Sequence, residues 1–122
     1  SPLTDTVTMP NPEEFDNPEA YYCTEFHELI HATGHESRLN RKGITEINKF
    51  GSKDYSQEEL VAEMGAAFLC GTTGILNTTI DNSASYLASW IKRLRGDSKL
   101  IVYAASKGQK GAEYILGSSS KK

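Results

Sequence analysis

FHELIH, residues 26–31, limits what this chain can be more than any other stretch of it. His27 and His31 fall four apart with Glu28 directly after the first. His35 repeats the spacing, so all three histidines of the chain lie within nine residues. The pattern H-E-x-x-H carries chemistry on a helix, where residues four apart project from one side with Cβ atoms roughly 6 Å apart. Two imidazoles at that separation can converge on one ion, and zinc accepts nitrogen at about 2.0–2.1 Å. Glu28 lies about 100° round the helix from His27. From there it overlooks the ion without binding it, and can take a proton from an activated water and pass it to a leaving amine.

The flanking residues predict that helix on their own. Asn17 followed by Pro18 reads as an N-cap with proline at the first helical position. The helix then runs to about Thr33 and ends at Gly34. Tyr22, Phe26, Leu29, Ile30 and Thr33 form its apolar stripe, with Cys23, His27 and His31 beside the stripe on a different face.

A tetrahedral metal with one open position needs a third protein ligand. His35 continues the spacing, but Gly34 redirects the chain before it. The longer metzincin pattern H-E-x-x-H-x-x-G-x-x-H fits through Gly34 and then fails, because its last histidine would stand where Ser37 does. Glu59 and Glu63, four apart in SQEELVAEMGAAF, are the stronger pair. Ala62 and Ala66 beside them would let a second helix approach the first closely. Glu59 would bind the metal, and Glu63 would accept the outer N–H of a ligand histidine and fix its tautomer. Ser56 and Glu59 also fit a capping box, in which Glu59 bends back to its own helix start and Glu58 becomes the alternative ligand. Cys23, one turn before His27, would close the site to chemistry if it bound.

The 122 residues fit one domain, residues 1–122, with one core. Apolar residues at 38% and charged residues at 24% describe a globular chain, and no apolar run approaches the roughly 18 residues of a membrane helix. Starting on serine without methionine, the chain reads as a piece of a longer protein. The net charge of −3 is mild, pointing neither to a basic nucleic-acid-binding domain nor to a strongly acidic DNA mimic. Arg38, Arg41, Lys42, Lys49 and Lys53, and again Lys92, Arg93, Arg95 and Lys99, read as solvated faces. Cys23 and Cys70 are too few for a disulfide framework and read as free buried thiols of a cytoplasmic protein.

Around the motif the expected organisation is α+β, predominantly α, with about four helices and a small N-terminal β element. Residues 4–9, TDTVTM, alternate like a short strand that stops at Pro10. Residues 36–55 lack helical periodicity and suggest a loop with a short hairpin around Ile44 to Phe50. A second helix is expected from Ser56 to about Cys70, with Tyr55 and Leu60 as a hydrophobic staple across its start. A third should run from Asn82 or Ser83 to Gly96, burying Tyr86, Leu87, Trp90, Ile91 and Leu94. The fourth spans about Ser98 to Leu116, and its stripe of Ile101, Ala104, Ala105, Gly108, Ala112 and Ile115 is small in the middle, which suits close helix packing.

Taken together, YYxTxFHELIHATGHxSRLNR, EELVAEMGAAFLC, NSAxYLxxWIxxL and AASxxQKGAEYIL resemble the C-terminal zincin-like metallopeptidase domain of ArdC-type antirestriction proteins, over about Asp5 to Leu116. The resemblance implies a protein of a mobile element that protects incoming DNA from restriction. It also implies an N-terminal domain, absent from this sequence, that binds single-stranded DNA. Carried over, the family motif puts metal ligands at His27 and His31 and the general base at Glu28. A similarity to gluzincin-type glutamate pairs fits Glu59 and Glu63. The strand at residues 4–9 would be the edge along which zincins lay an extended substrate.

The leading functional expectation is a zinc-dependent peptidase with one ion, another divalent metal being the alternative. His35, Tyr55 or Arg38 would be the donor to the oxyanion or a substrate contact. The competing expectation is a non-catalytic module, stapled by its metal, that acts in antirestriction by binding DNA or a restriction enzyme. Such a staple would normally have four protein ligands. The partner expected of the peptidase is a protein or peptide, with no membrane.

Overall fold

The computed structural model describes residues 5–45, 53–75, 88–89, 92 and 98–117. A single 3-10 turn, Pro12–Glu14, precedes α1, Pro18–Thr33. Asn17 caps α1 from an extended conformation, its side chain accepting from the Ala20 amide at 2.8 Å. At the other end Gly34 stands at φ −79°, ψ −6°, so no left-handed backbone calls for glycine here. Space does. A Cβ on Gly34 would sit 2.6 Å from Ile44 Cγ1 and 2.9 Å from Arg41 Nη2.

After α1 the chain folds back on the helix it has just left. Leu39 N donates to Thr33 O at 2.9 Å, and Arg41 N to Gly34 O at 3.0 Å. Asn40 takes the left-handed conformation at φ 52°, which asparagine tolerates better than most residues. α2 is one turn, Lys42–Thr45.

α3, Lys53–Thr73, is the central helix, and α4, Ser98–Leu116, closes the core. His31 meets Glu58, His27 meets Glu63, and Cys23 meets Cys70. α1 therefore runs antiparallel to α3. Gln57 Nε2 donates to Leu100 O at 3.2 Å, and Gly65 lies against Gly108, so α4 runs in the same direction as α3. Ile30, Leu60, Val61, Ala62, Leu69, Ala104 and Ala112 are buried at the centre, with Phe26, Met64, Leu100, Ile101 and Ile115 packed against them.

The expected α+β class is overturned, because the described residues form helices and no strand. Residues 5–10 are irregular. Alternating Thr and Val favours extension, but a strand also needs a neighbour to take its backbone hydrogen bonds. None forms beside this segment among the described residues, so the substrate-edge role expected for it falls as well. The expected hairpin is corrected in the same way. Ile44 and Thr45 belong to α2, and residues 46–50 lie outside the described residues. The helix expected from residue 82 or 83 to residue 96 also lies outside them, except for helical Ala88, Ser89 and Lys92.

α3 outruns its expected bounds at both ends. It begins at Lys53, three residues before Ser56, and passes through Gly71 to Thr73. Gly74, at φ 76°, is the glycine that stops it.

The crossing of α3 and α4 is built on glycine. A Cβ on Gly108 would lie 2.9 Å from Gly65 N and 3.0 Å from Val61 O, both backbone atoms that cannot swing aside. Gly108→Ala should therefore force the helices apart and cost about 1–3 kcal/mol, read as a lower urea midpoint with an unchanged slope.

Candidate metal centre

α1 and α3 bring the expected donors to one place. His27 Nε2 and His31 Nε2 face each other at 3.2 Å. The Glu59 carboxylate spans them, Oε1 at 3.4 Å from His27 Nε2 and Oε2 at 3.1 Å from His31 Nε2. The donor atoms of these three residues all lie within 4.8 Å of one another. Ligands about 2.0–2.1 Å from a tetrahedral ion stand roughly 3.3 Å from each other, so the spacing matches that of a shared cation.

Each imidazole is held from behind by a second acid. His27 Nδ1 lies 3.1 Å from Glu63 Oε2, and His31 Nδ1 lies 2.9 Å from Glu58 Oε2. A carboxylate on Nδ1 keeps the proton there and turns the Nε2 lone pair inward, the usual support of a metal-binding histidine.

Glu58 is itself clamped by Arg41. Arg41 Nε and Nη2 donate to the two oxygens of Glu58 at 3.0 and 2.9 Å. Arg41 Nη1 donates to Thr33 Oγ1 at 2.8 Å, and Nη2 to Ile30 O at 2.6 Å. The guanidinium thus caps the C-terminal carbonyls of α1 and anchors the acid behind His31 at once. At 3% exposure Arg41 belongs to no solvated face, which corrects the sequence reading. The missed signal was a cation shortly after a helix C-terminus, where free carbonyls attract one.

The other expected residues divide. Glu59 has no capping box to serve, since α3 starts at Lys53 and Ser56 stands inside the helix. Glu58 supports His31 from its outer nitrogen and does not join the Nε2 side. Glu28 is half-buried on α1, and its side chain makes no hydrogen bond or ion pair among the described residues. His35 Nδ1 accepts from Ser37 N at 3.1 Å and lies 2.8 Å from Ser37 Oγ. Arg38 Nε donates to Ala32 O at 2.8 Å, and its Nη2 pairs with Asp5. Neither His35 nor Arg38 touches the donor cluster. The Tyr55 side chain, and with it the expected staple, lies outside the described residues.

Charge points the same way as distance. With neutral imidazoles, Glu58, Glu59 and Glu63 against Arg41 leave the cluster two negative charges in excess, the amount one divalent cation cancels. Without the cation, protons take its place. Burial disfavours the imidazolium, yet the hydrogen bonds and charge of Glu59 and Glu63 outweigh it and lift His27 to about 10. Burial likewise opposes charging His31, but Glu58 and Glu59 raise it to about 9. Burial would push the Glu59 carboxyl up, whereas the two histidines hold it down at about 2. His31 and Arg41 hold Glu58 low against the same burial.

These shifts fix a pH window for the metal-free fold. The raised histidines stabilise it fully below about 6.5, and lose that contribution as pH rises through 9 to 10. The depressed carboxyls contribute above about 4.5 and lose it as pH falls toward 2. In chelator, the melting temperature should therefore peak between about pH 4.5 and 6.5 and decline up to pH 10. A His27→Gln/His31→Gln variant should lack that decline between pH 6.5 and 9, above which the raised Cys70 thiol also costs stability.

Helices on which an H-E-x-x-H pair faces a glutamate of the next helix define a zincin-like site. The zincin-like metallopeptidase family model matches residues 1–107, and the chain belongs to that family. More particularly, its domain is of the kind found in ArdC antirestriction proteins. The Mn(II)-bound crystal structure of ArdC from plasmid R388 matches with a TM-score of 0.77 and 36% identity, covering 99% of this chain and 44% of that one. The metal-free structure of the same protein matches with a TM-score of 0.71, covering 98% and 43%. An Escherichia coli protein named DNA primase TraC is 37% identical over 120 residues, 98% of this chain and 8% of its own length. The chain thus spans less than half the length of each of these proteins.

Proposed function

We propose that this chain is the peptidase domain of an antirestriction protein from a mobile element, hydrolysing peptide bonds with the help of one divalent cation. The observation that carries this reading is the convergence of His27 Nε2, His31 Nε2 and the Glu59 carboxylate on one point, with Glu28 beside it on the same helix. A cation held by those three supplies Lewis acidity toward a water and a peptide carbonyl. We assign zinc, which suits two imidazoles and a carboxylate; manganese, present in the plasmid relative, is the competing ion.

The chain's own groups do the rest. Glu58 and Glu63 keep the imidazoles turned inward. Glu28 takes the proton of the attacking water and delivers it to the leaving amine. A purely structural site would take a fourth protein ligand. Cys23 is turned to Cys70 and His35 to Ser37, which favours an open position. The side chains of His27, His31 and Glu59 keep 18%, 18% and 20% of their surface exposed, so solvent can reach that position. The substrate in this reading is a protein or peptide in the cytoplasm, and DNA binding belongs to another part of such a protein.

Metal content and peptide hydrolysis, measured together, test the proposal. Wild type should hold one ion and cleave a broad peptide mixture, with cleavage stopped by a chelator and restored by zinc. His27→Ala and Glu59→Ala should bind metal at least about 10²-fold more weakly and cleave nothing. A wild type that holds its ion but leaves the mixture intact would overturn the peptidase reading.

A further inference from the structure

Cys23 on α1 and Cys70 on α3 have a relation that the metal centre does not use. Their sulfurs lie 2.9 Å apart, joining positions 47 residues distant in the chain, and both are free thiols. A disulfide needs about 2.05 Å, so closure calls for a small approach of two side chains already in contact. Cys70 is 4% exposed, whereas Cys23 is half-buried and open to a small oxidant. The pair sits at one end of the α1–α3 seam, with Cys23 one turn before His27 and Cys70 two turns beyond Glu63. Arg41 fastens the opposite end.

We propose that Cys23 and Cys70 form an oxidisable pair that closes into an intrachain disulfide, clamping together the two helices that carry the metal donors. The oxidant is a hydroperoxide. The Cys23 thiolate attacks the peroxide O–O bond and becomes a sulfenic acid; for hydrogen peroxide the hydroxide released takes up the proton the thiol had given up and leaves as one water. The Cys70 sulfur then attacks Cys23 Sγ, and the sulfenic hydroxyl leaves with the Cys70 proton as a second water. Two thiols are oxidised and one peroxide is reduced. Burial, followed by the hydrogen bond with Cys23, pushes the Cys70 thiol up to about 12, so Cys70 enters the second step as a thiol and Cys23 is the sulfur that meets the oxidant.

The test treats the metal-loaded chain with stoichiometric hydrogen peroxide, with Cys23→Ser and Cys70→Ser as controls. Wild type should become lighter by two hydrogen atoms, stay monomeric, and yield a peptide joining Cys23 to Cys70 after non-reducing digestion. Its melting temperature should rise by roughly 10 °C, reversed by dithiothreitol and absent from both variants. Chelator should also strip metal from the oxidised chain several-fold more slowly. Two thiols that remain open to alkylation after peroxide, or cross-links only between chains, would overturn the proposal. Equal metal-release rates before and after oxidation would overturn the clamp. None of these readouts depends on peptide hydrolysis, so the pair can be tested whether or not the peptidase reading stands.

Discussion

Glu28→Gln should leave the chain with its metal and lower peptide hydrolysis by roughly 10²–10⁴-fold. Glutamine keeps the length and shape of the side chain but cannot take a proton. The cluster does not depend on Glu28, since His27, His31 and Glu59 face one another and Glu58 and Glu63 occupy the outer imidazole nitrogens. Metal content by mass spectrometry should stay at one ion while kcat collapses. Loss of the metal along with activity would show that position 28 holds the centre together. Undiminished turnover would show that another base serves.

The second large effect is expected far from the ion. Arg41→Met should cost about 3–5 kcal/mol, because it leaves Glu58 charged and buried without its partner. It also leaves Ile30 O with the Thr33 hydroxyl as its side-chain donor and releases the acid that orients His31, so metal affinity should fall about 10–100-fold as well. Lysine should not restore the loss, since a single ammonium cannot reproduce the two-pronged contact. A double variant, Arg41→Met with Glu58→Leu, should recover much of the stability, because no unpaired charge remains, but none of the affinity. Urea unfolding and metal titration read the two quantities separately. Equal recovery of both would mean that Glu58 does not orient His31.

α1 was legible because its determinants are local. Asn17 caps it, Pro18 opens it, and the histidine spacing makes chemical sense only on a helix. α4 was legible for a similar reason, its small residues marking the side that meets Gly65. The start of α3 was not. Ser56 reads as a cap from its neighbours, yet the helix begins three residues earlier, and that shift removes the capping box that competed for Glu59. The N-terminal strand failed because Thr–Val alternation states a preference, while pairing depends on a distant partner. Arg41 was hidden most deeply. Its place shortly after the end of α1 was the one local signal, toward the carbonyls of Ile30 and His31, while Glu58 comes to it only in the folded chain.

The equality of charge between two protons and one divalent ion has a last consequence. When the ion leaves, His27 and His31 can each take up a proton, and the acids around them are never left facing one another bare. Demetallation should then exchange charge at the site without the collapse expected of a zinc finger, which a melting curve in chelator would show. Ion supply and acidity together should then set how many copies carry the ion.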